Sequence, residues 1–275
     1  MEKLQRNERI ALQLKLLSDA PCKVFQLGEF CEMFGAAKST ISEDIAIIER
    51  LLERFGIGKV ETIPGASGGV RYIPFLSKER IWNILKSLSS ELSNKDRILP
   101  GGFVYMLDII FNPEKVSQIG QIFATYFFSK KIDYVITVET KGIPLALATA
   151  KNLNVPLVIV RHYNEAADGA SVNINYVSGS SKRMQTMVLS LKALKRNSKL
   201  LFIDDFMKGG GTAKGILELA REFECEVTGI GVFIATSEPK EKLVNDYLHL
   251  LTLNKVEEKE EIIDIQPYSF FSVPE

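Results

Sequence analysis

Histidine and cysteine are scarce in this chain, at two and three residues in 275. Cys22, Cys31 and Cys225 form an odd, scattered set without Cys-x-x-Cys spacing. That excludes a disulfide framework. With only His162 and His249 beside them, a zinc site is also disfavoured, and a reducing, cytoplasmic setting is expected. No apolar run approaches the roughly 18 residues of a membrane helix. The polar stretch Met1–Arg9 does not read as a secretory signal, so no membrane partner is expected. Neither charge is in excess, with 34 Lys and Arg against 34 Asp and Glu, so bulk electrostatics point to no polyanionic partner. What is present is an ordinary globular composition, 46% hydrophobic and 25% charged, on a length suited to two domains of about 150 residues.

The pattern changes near residue 75, giving expected domains at 1–74 and 75–275. In the first, Ile10, Leu14 and Leu17 recur at helical spacing, predicting a helix over about Arg9–Ser18. Leu27, Phe30, Cys31 and Phe34 predict a second, stopped by Gly35. A third starts near Lys38, where Thr40 and Glu43 have capping-box spacing. Ile41, Ile45, Ile48 and Leu52 then lie on one inward stripe. Lys59–Ile63 and Val70–Pro74 read as two strands around a Pro-Gly-rich turn. Helix, turn, helix and a Gly-tipped hairpin is the order of a winged helix-turn-helix, whose second motif helix enters the DNA major groove. The outward face of that helix carries Ser39, Ser42, Glu43, Ala46 and Arg50. Lys38, Ser39, Thr40 and Ser42 are the candidate contacts to phosphates or base edges. Arg71 on the hairpin, with Arg6 and Arg9 near the first helix, completes the DNA-binding set. Charge does not distinguish this from a dimerisation module, because residues 1–74 hold ten basic and ten acidic side chains.

Residues 77–97 continue as an amphipathic helix. Beyond residue 100, apolar strands (134–138, 157–160, 199–203, 227–235) alternate with helices, among them Gly142–Asn152. The fold class expected is α/β, a mostly parallel sheet with ligands at the strand carboxyl ends. The most informative stretch is Leu200-Leu201-Phe202-Ile203-Asp204-Asp205-Phe206-Met207-Lys208-Gly209-Gly210-Gly211-Thr212. Three glycines let backbone N–H groups surround a phosphate, and the helix that follows adds partial positive charge. Asp204 and Asp205 suit the two donor hydroxyls of a ribose and would repel a phosphate placed on them. A ribose 5-phosphate fits that division. The ending lacks the Gly-Lys-Ser/Thr of a Walker loop, and the acids precede the glycines, unlike a dinucleotide fingerprint. In Val138-Glu139-Thr140-Lys141-Gly142-Ile143-Pro144, Lys141 and the amides opening the next helix at Gly142 would face a second anion; the alternative is a plain strand-to-helix turn that happens to carry a lysine.

The stretch from Leu200 resembles the signature of the type I phosphoribosyltransferase fold, which binds phosphoribosyl pyrophosphate (PRPP). That resemblance implies ribose contact by Asp204 and Asp205, a 5-phosphate loop through Phe206, Met207, Lys208, Gly209, Gly210, Gly211 and Thr212, and a pyrophosphate loop at Thr140, Lys141 and Gly142. The polar stretch Tyr163–Ser181 is similar to the flexible loop that closes over such sites. The winged helix ahead of this domain resembles the purine operon regulators of Gram-positive bacteria. The likeness includes Ala37–Asp44, Ile63–Val70, Ile98-Leu99-Pro100-Gly101-Gly102 and Ile174–Ser181. It implies a homodimer that binds double-stranded DNA upstream of purine genes and takes PRPP as effector. It further implies no catalytic residues and no cofactor, with Mg²⁺ arriving only on PRPP. Repression is the family expectation and activation stays open. The chain departs from enzymes of the fold at Gly209, where Thr is usual, and at His162, where a second basic residue is common; His162 is read as an exposed loop residue and His249 as packing or surface. The alternatives are an active purine phosphoribosyltransferase with an accessory domain, and a PRPP-sensing scaffold that does not bind DNA.

Overall fold

A computed structural model describes residues 4–65, 68–163, 169–177 and 184–272. They form a first compact unit, the chain up to Ser77 together with Lys151–Asn154, and a second containing Lys78–Ala150 and the chain from Val155. The division thus falls just beyond the expected residue 74.

The first unit is α1 (Arg6–Asp19), α2 (Leu27–Phe34), α3 (Lys38–Phe55), β1 (Lys59–Ile63) and β2 (Gly69–Ile73). Gly35, at φ +60°, ends α2 in the left-handed region that favours glycine, and Ala36 N–H returns to Cys31 O at 3.2 Å. The turn is therefore short enough to fold α3 across α2. Leu17, Phe30, Ile41 and Ile48 are almost wholly buried, each contributing roughly 1.5–3 kcal/mol of burial free energy. β1 and β2 pair antiparallel, Lys59 opposite Ile73 and Ile63 opposite Gly69, and Phe25 adds a bridge to Val70. This is the winged helix expected, with one correction: Ala37 caps α3. Thr40 therefore lies inside the first turn, and no Thr40–Glu43 capping box forms. A comparable contact opens α1 instead, where Glu8 Oε2 accepts from Gln5 N–H at 2.7 Å.

The second unit begins with α4 (Lys78–Leu92), then a small hairpin, β3 (Ile98–Leu99) and β4 (Phe103–Val104), then α5 (Leu107–Ile110) and α6 (Pro113–Phe127). Next come β5 (Tyr134–Val138), α7 (Gly142–Leu153), β6 (Leu157–Val160), β7 (Ser171–Val177) and β8 (Met184–Ser190). The chain continues as β9 (Lys199–Met207), α8 (Gly211–Glu222), β10 (Glu226–Thr236), β11 (Leu248–Glu257) and β12 (Ile262–Pro267). The main sheet has the order β12-β11-β10-β9-β5-β6. It is parallel except at the β12 edge. Its central strands are apolar on both faces, with Leu200, Leu201, Phe202 and Ile203 at zero exposure, the mark of a sheet covered on both sides.

Three features depart from the sequence reading. β9 does not stop at Ile203 but carries the acid pair within it, to Met207. The segment expected as a polar loop contains β7, which pairs antiparallel with β8 from Ser171–Ser190 to Val177–Met184. Its residues 164–168 and 178–181 lie outside the described residues. That hairpin sits on α8: a Cβ on Gly215 would lie 3.1 Å from Tyr176 Cγ and from Met187 Sδ. Finally, the helix expected to 97 ends at Leu92, and α4 is fixed to the β12 edge by Ser89 Oγ donating to Ile265 O at 2.7 Å.

Candidate functional site

A cleft of about 800 Å³ opens at the carboxyl ends of β5, β9 and β10, where ligands of open α/β sheets bind. It brings together Thr140, Lys141 and the whole run Asp204–Thr212, segments more than sixty residues apart in the chain. Gly142 stands behind the wall. A Cβ there would lie 2.4 Å from Thr137 Oγ1 and 3.3 Å from Asp204 Oδ1, so glycine is required for α7 to start this close to β9.

Asp204 is buried, and Asp205 N–H donates to its Oδ1 at 3.0 Å. Burial raises the pKa of both carboxyls. The negative charge of Asp205 raises that of Asp204 further, while the nearby Lys141 ammonium opposes the rise at Asp205. Two carboxyls thus stand side by side in the cleft wall, Asp204 buried and Asp205 half-buried, an arrangement that favours a ligand bringing hydroxyl donors. The glycine loop follows. Gly210, at φ +80°, caps α8 and leaves the first amides of that helix available to an anion, as at other helix starts.

Sequence reasoning missed much of the rest of the wall. The β3–β4 hairpin contributes Leu99, Pro100, Gly101, Gly102 and Phe103; the Pro-Gly-Gly turn was visible, but nothing local tied it to the cleft. From β7 and β8 come Tyr176 and Gln185, the tyrosine hydroxyl donating to Gln185 Oε1 at 2.6 Å. His162 also lines the cleft and is only partly exposed, which corrects its reading as an exposed loop residue. Its backbone N–H donates to Glu139 Oε1 at 2.6 Å, and its ring Nδ1 lies 3.0 Å from Thr186 O. A carbonyl only accepts, so Nδ1 carries the proton. His249 lies outside the cleft, stacked on Tyr268 at 3.9 Å between ring centroids. Burial and the Lys242 charge bring its pKa down to about 4, so it is a neutral packing residue. Among the described residues, no group of three or more His, Cys, Asp or Glu side chains could hold a metal ion.

On the first unit, Lys38, Ser39 and Ser42 are exposed and Thr40 is partly so; the Ser42 hydroxyl donates to Lys38 O at 2.9 Å. The three arginines differ. Arg6 is 56% exposed and spans Glu43 at 3.4 Å and Asp44 at 3.3 Å. Arg71 faces Glu61 across the hairpin, Nε to Oε2 at 2.6 Å. Arg9 is a correction. It is buried, with Nε donating to Asp44 Oδ2 at 2.9 Å and Nη1 to Leu4 O at 3.0 Å. It clamps α1 to α3 and is withdrawn from the surface where a phosphate would lie. Its partner Asp44 has zero exposure, lying beside the inward stripe, three residues after Ile41 and four before Ile48, whereas Glu43 is on the outward face.

Residues 5–74 match the family "Bacterial purine repressor, N-terminal", and residues 108–268 match the "Phosphoribosyl transferase domain" family. The chain is 46% identical over 268 residues to the purine biosynthesis transcriptional repressor PurR of Bacillus subtilis, covering 98% of this chain and 94% of that one. The chain belongs to the PurR family. Its PurR relatives carry both signs of regulation, because the purine biosynthesis transcriptional activator PurR of Lactococcus lactis is 39% identical over 269 residues, 98% of this chain and 99% of its own. PurR-family likeness thus spans both units. The second unit alone has a wider resemblance. Xanthine phosphoribosyltransferase of Lactococcus lactis subsp. cremoris is 28% identical over 68% of this chain and 92% of its own length. The crystal structure of adenine phosphoribosyltransferase from Thermoanaerobacter pseudethanolicus superposes with a TM-score of 0.54 at 16% identity, over 61% of this chain and 99% of that one, a likeness of fold alone.

Proposed function

We propose that the chain is a DNA-binding transcriptional regulator of purine biosynthesis genes, working as a cytoplasmic homodimer, whose second unit binds PRPP as effector without turning it over. The observation that carries the effector reading is the acid pair, buried at Asp204 and half-buried at Asp205, running directly into the glycine loop within one cleft. In it Asp204 and Asp205 accept the ribose 2′- and 3′-hydroxyls, and the loop amides with Lys208 and Thr212 hold the 5-phosphate. Lys141 and Thr140 face the pyrophosphate. Mg²⁺ enters on that pyrophosphate. Gly209 provides no hydroxyl to the 5-phosphate, which the amides and Lys208 supply instead. PRPP changes operator affinity only to the extent that it binds the DNA-bound and free states differently, and DNA then changes PRPP affinity by the same factor.

The test is anisotropy of a labelled duplex from upstream of purine biosynthesis genes, with and without PRPP and Mg²⁺, alongside a turnover assay with adenine, guanine and xanthine. A PRPP-dependent change in DNA affinity with no nucleotide formed is expected. Turnover of a purine base would instead support the second reading, an active phosphoribosyltransferase, which the 28% identity to a xanthine enzyme favours. Absence of DNA binding at any salt concentration would leave a PRPP-sensing scaffold.

A further inference from the structure

The glycine loop is held from behind by a segment outside the cleft. Lys242 lies between β10 and β11, and its ammonium donates to Lys208 O at 2.6 Å, to Thr236 O at 2.9 Å and to Thr236 Oγ1 at 3.2 Å. One residue on, Leu243 N–H donates to Gly209 O at 2.9 Å. The approach is close: a Cβ on Gly210 would lie 3.3 Å from both Leu243 N and Val244 Cγ2. Val244 is itself buried in the core, so the strap is anchored at its far end. Lys242 does not line the cleft, whereas Lys208, Gly209, Gly210 and Thr236 do.

The peptide unit explains what this does. In a planar trans peptide, the carbonyl of one residue and the N–H of the next point in opposite directions. Fixing Lys208 O toward Lys242 turns the Gly209 N–H away from the strap, and fixing Gly209 O toward Leu243 does the same for the Gly210 N–H. Three consecutive glycines have almost no backbone preference of their own, so without such anchors an anion would have to order the loop as it bound, at a cost in affinity. The ammonium also polarises the amide it bonds, strengthening the N–H on the far side.

We propose that Lys242 is the positioning residue of the phosphate loop: from outside the cleft it holds the amides of Gly209 and Gly210 in their anion-binding arrangement, and so sets affinity for the phosphate end of a phosphoribosyl ligand. The inference rests on the phosphoribosyl reading of the cleft, but it concerns one subsite. The other, at Thr140 and Lys141, belongs to a different loop and serves as the internal control. Burial lowers the pKa of Lys242, as expected for an ammonium bonded only to neutral oxygens.

Calorimetric titration of the full-length protein with PRPP, ribose 5-phosphate and inorganic pyrophosphate tests this. In Lys242→Met, binding of PRPP and ribose 5-phosphate falls about tenfold, the scale of one lost charge-assisted hydrogen bond. Pyrophosphate binding and effector-free DNA affinity stay within about twofold. Lys242→Arg, which keeps the charge and the donors, recovers most of the loss. Equal losses for ribose 5-phosphate and pyrophosphate would mark a general structural role and overturn the proposal, as would unchanged ribose 5-phosphate binding. If Lys242→Met does not fold, Thr236→Val removes one of the three acceptors and must give the same selective loss, smaller in size. Wild-type protein that binds pyrophosphate but neither ribose 5-phosphate nor PRPP would instead refute the phosphoribosyl reading itself.

Discussion

The two units offer an anion two different surfaces. On the first, three of the five arginines are already engaged by carboxylates: Arg6 with Glu43 and Asp44, Arg9 with Asp44, Arg71 with Glu61. On the second, the loop that faces an anion is built of glycine amides at a helix start, with their carbonyls held from behind. An amide cannot be neutralised by a neighbouring carboxylate in the way an arginine can, so the cleft is organised before its ligand arrives. The DNA face must exchange partners. This difference fits a small effector that has few groups to bind with and a long duplex that has many, since each DNA phosphate contact adds a little and is weakened by salt.

The largest effect that would break this contrast lies in the acid pair. Burial and mutual repulsion raise the pKa of Asp204, so its charge is a burden on the ligand-free fold, offset in part by the Asp205 N–H and relieved further by a ligand's hydroxyls. Asp204→Asn is expected to weaken PRPP by about a hundredfold, the loss of charge-assisted bonds to a ribose. It should also raise the melting temperature of the ligand-free protein. The sign follows from linkage: a carboxyl whose folded pKa is raised favours the fold when protonated, so the fold gains stability as pH drops through that pKa, and the neutral amide imitates the protonated state. A lower melting temperature with PRPP binding intact would show that the pair is structural, and the cleft would not be the preorganised site described.

An effect of comparable size is expected at Arg9. Arg9→Met leaves Asp44 buried with Arg6 at 3.3 Å and Gln13 at 3.4 Å, and should destabilise the first unit by roughly 3 kcal/mol, the scale of a broken buried pair. Where the variant is folded, its DNA affinity should fall while the slope of log affinity against log salt stays the same, because no phosphate contact is removed. A shallower slope with unchanged thermal stability would return Arg9 to the DNA face.

How much of this was legible in the sequence follows the same divide. The Asp204–Thr212 run is local: strand, acids, glycines and helix follow one another within thirteen residues, so pattern alone located the loop. Its setting was not local. β11 and β12 pack as the far edge of the sheet, and the Lys242 strap reaches back 34 residues to Lys208. Periodicity has no access to such a separation. In the first unit the isoleucine stripe fixed which face of α3 turns inward, and Ser39, Ser42, Ala46 and Arg50 are exposed as expected. The state of Arg6 and Arg9 depended on a partner 38 and 35 residues away. That is why Arg6 and Arg9, both basic and near the same helix end, were read alike and proved different.

The smallest effect belongs to Glu43, and it sharpens the contrast. Glu43 lies on the outward face of α3, exposed, with Oε2 at 3.4 Å from an Arg6 nitrogen. DNA approaching this face meets one carboxylate, and that carboxylate also competes with phosphate for Arg6. Exposed pairs of this kind are weak, so Glu43→Gln should leave stability unchanged and tighten DNA binding about two- to threefold. The more telling reading is the salt slope. If Arg6 stays with Glu43 in the wild-type complex, releasing it adds one phosphate contact, and the slope steepens by about 0.9. If Arg6 already exchanges partners on binding, affinity rises and the slope is unchanged. Weaker binding in Glu43→Gln would mean that the carboxylate itself accepts from a base edge, as acidic side chains do from cytosine, and Glu43 would then move from competitor to reader.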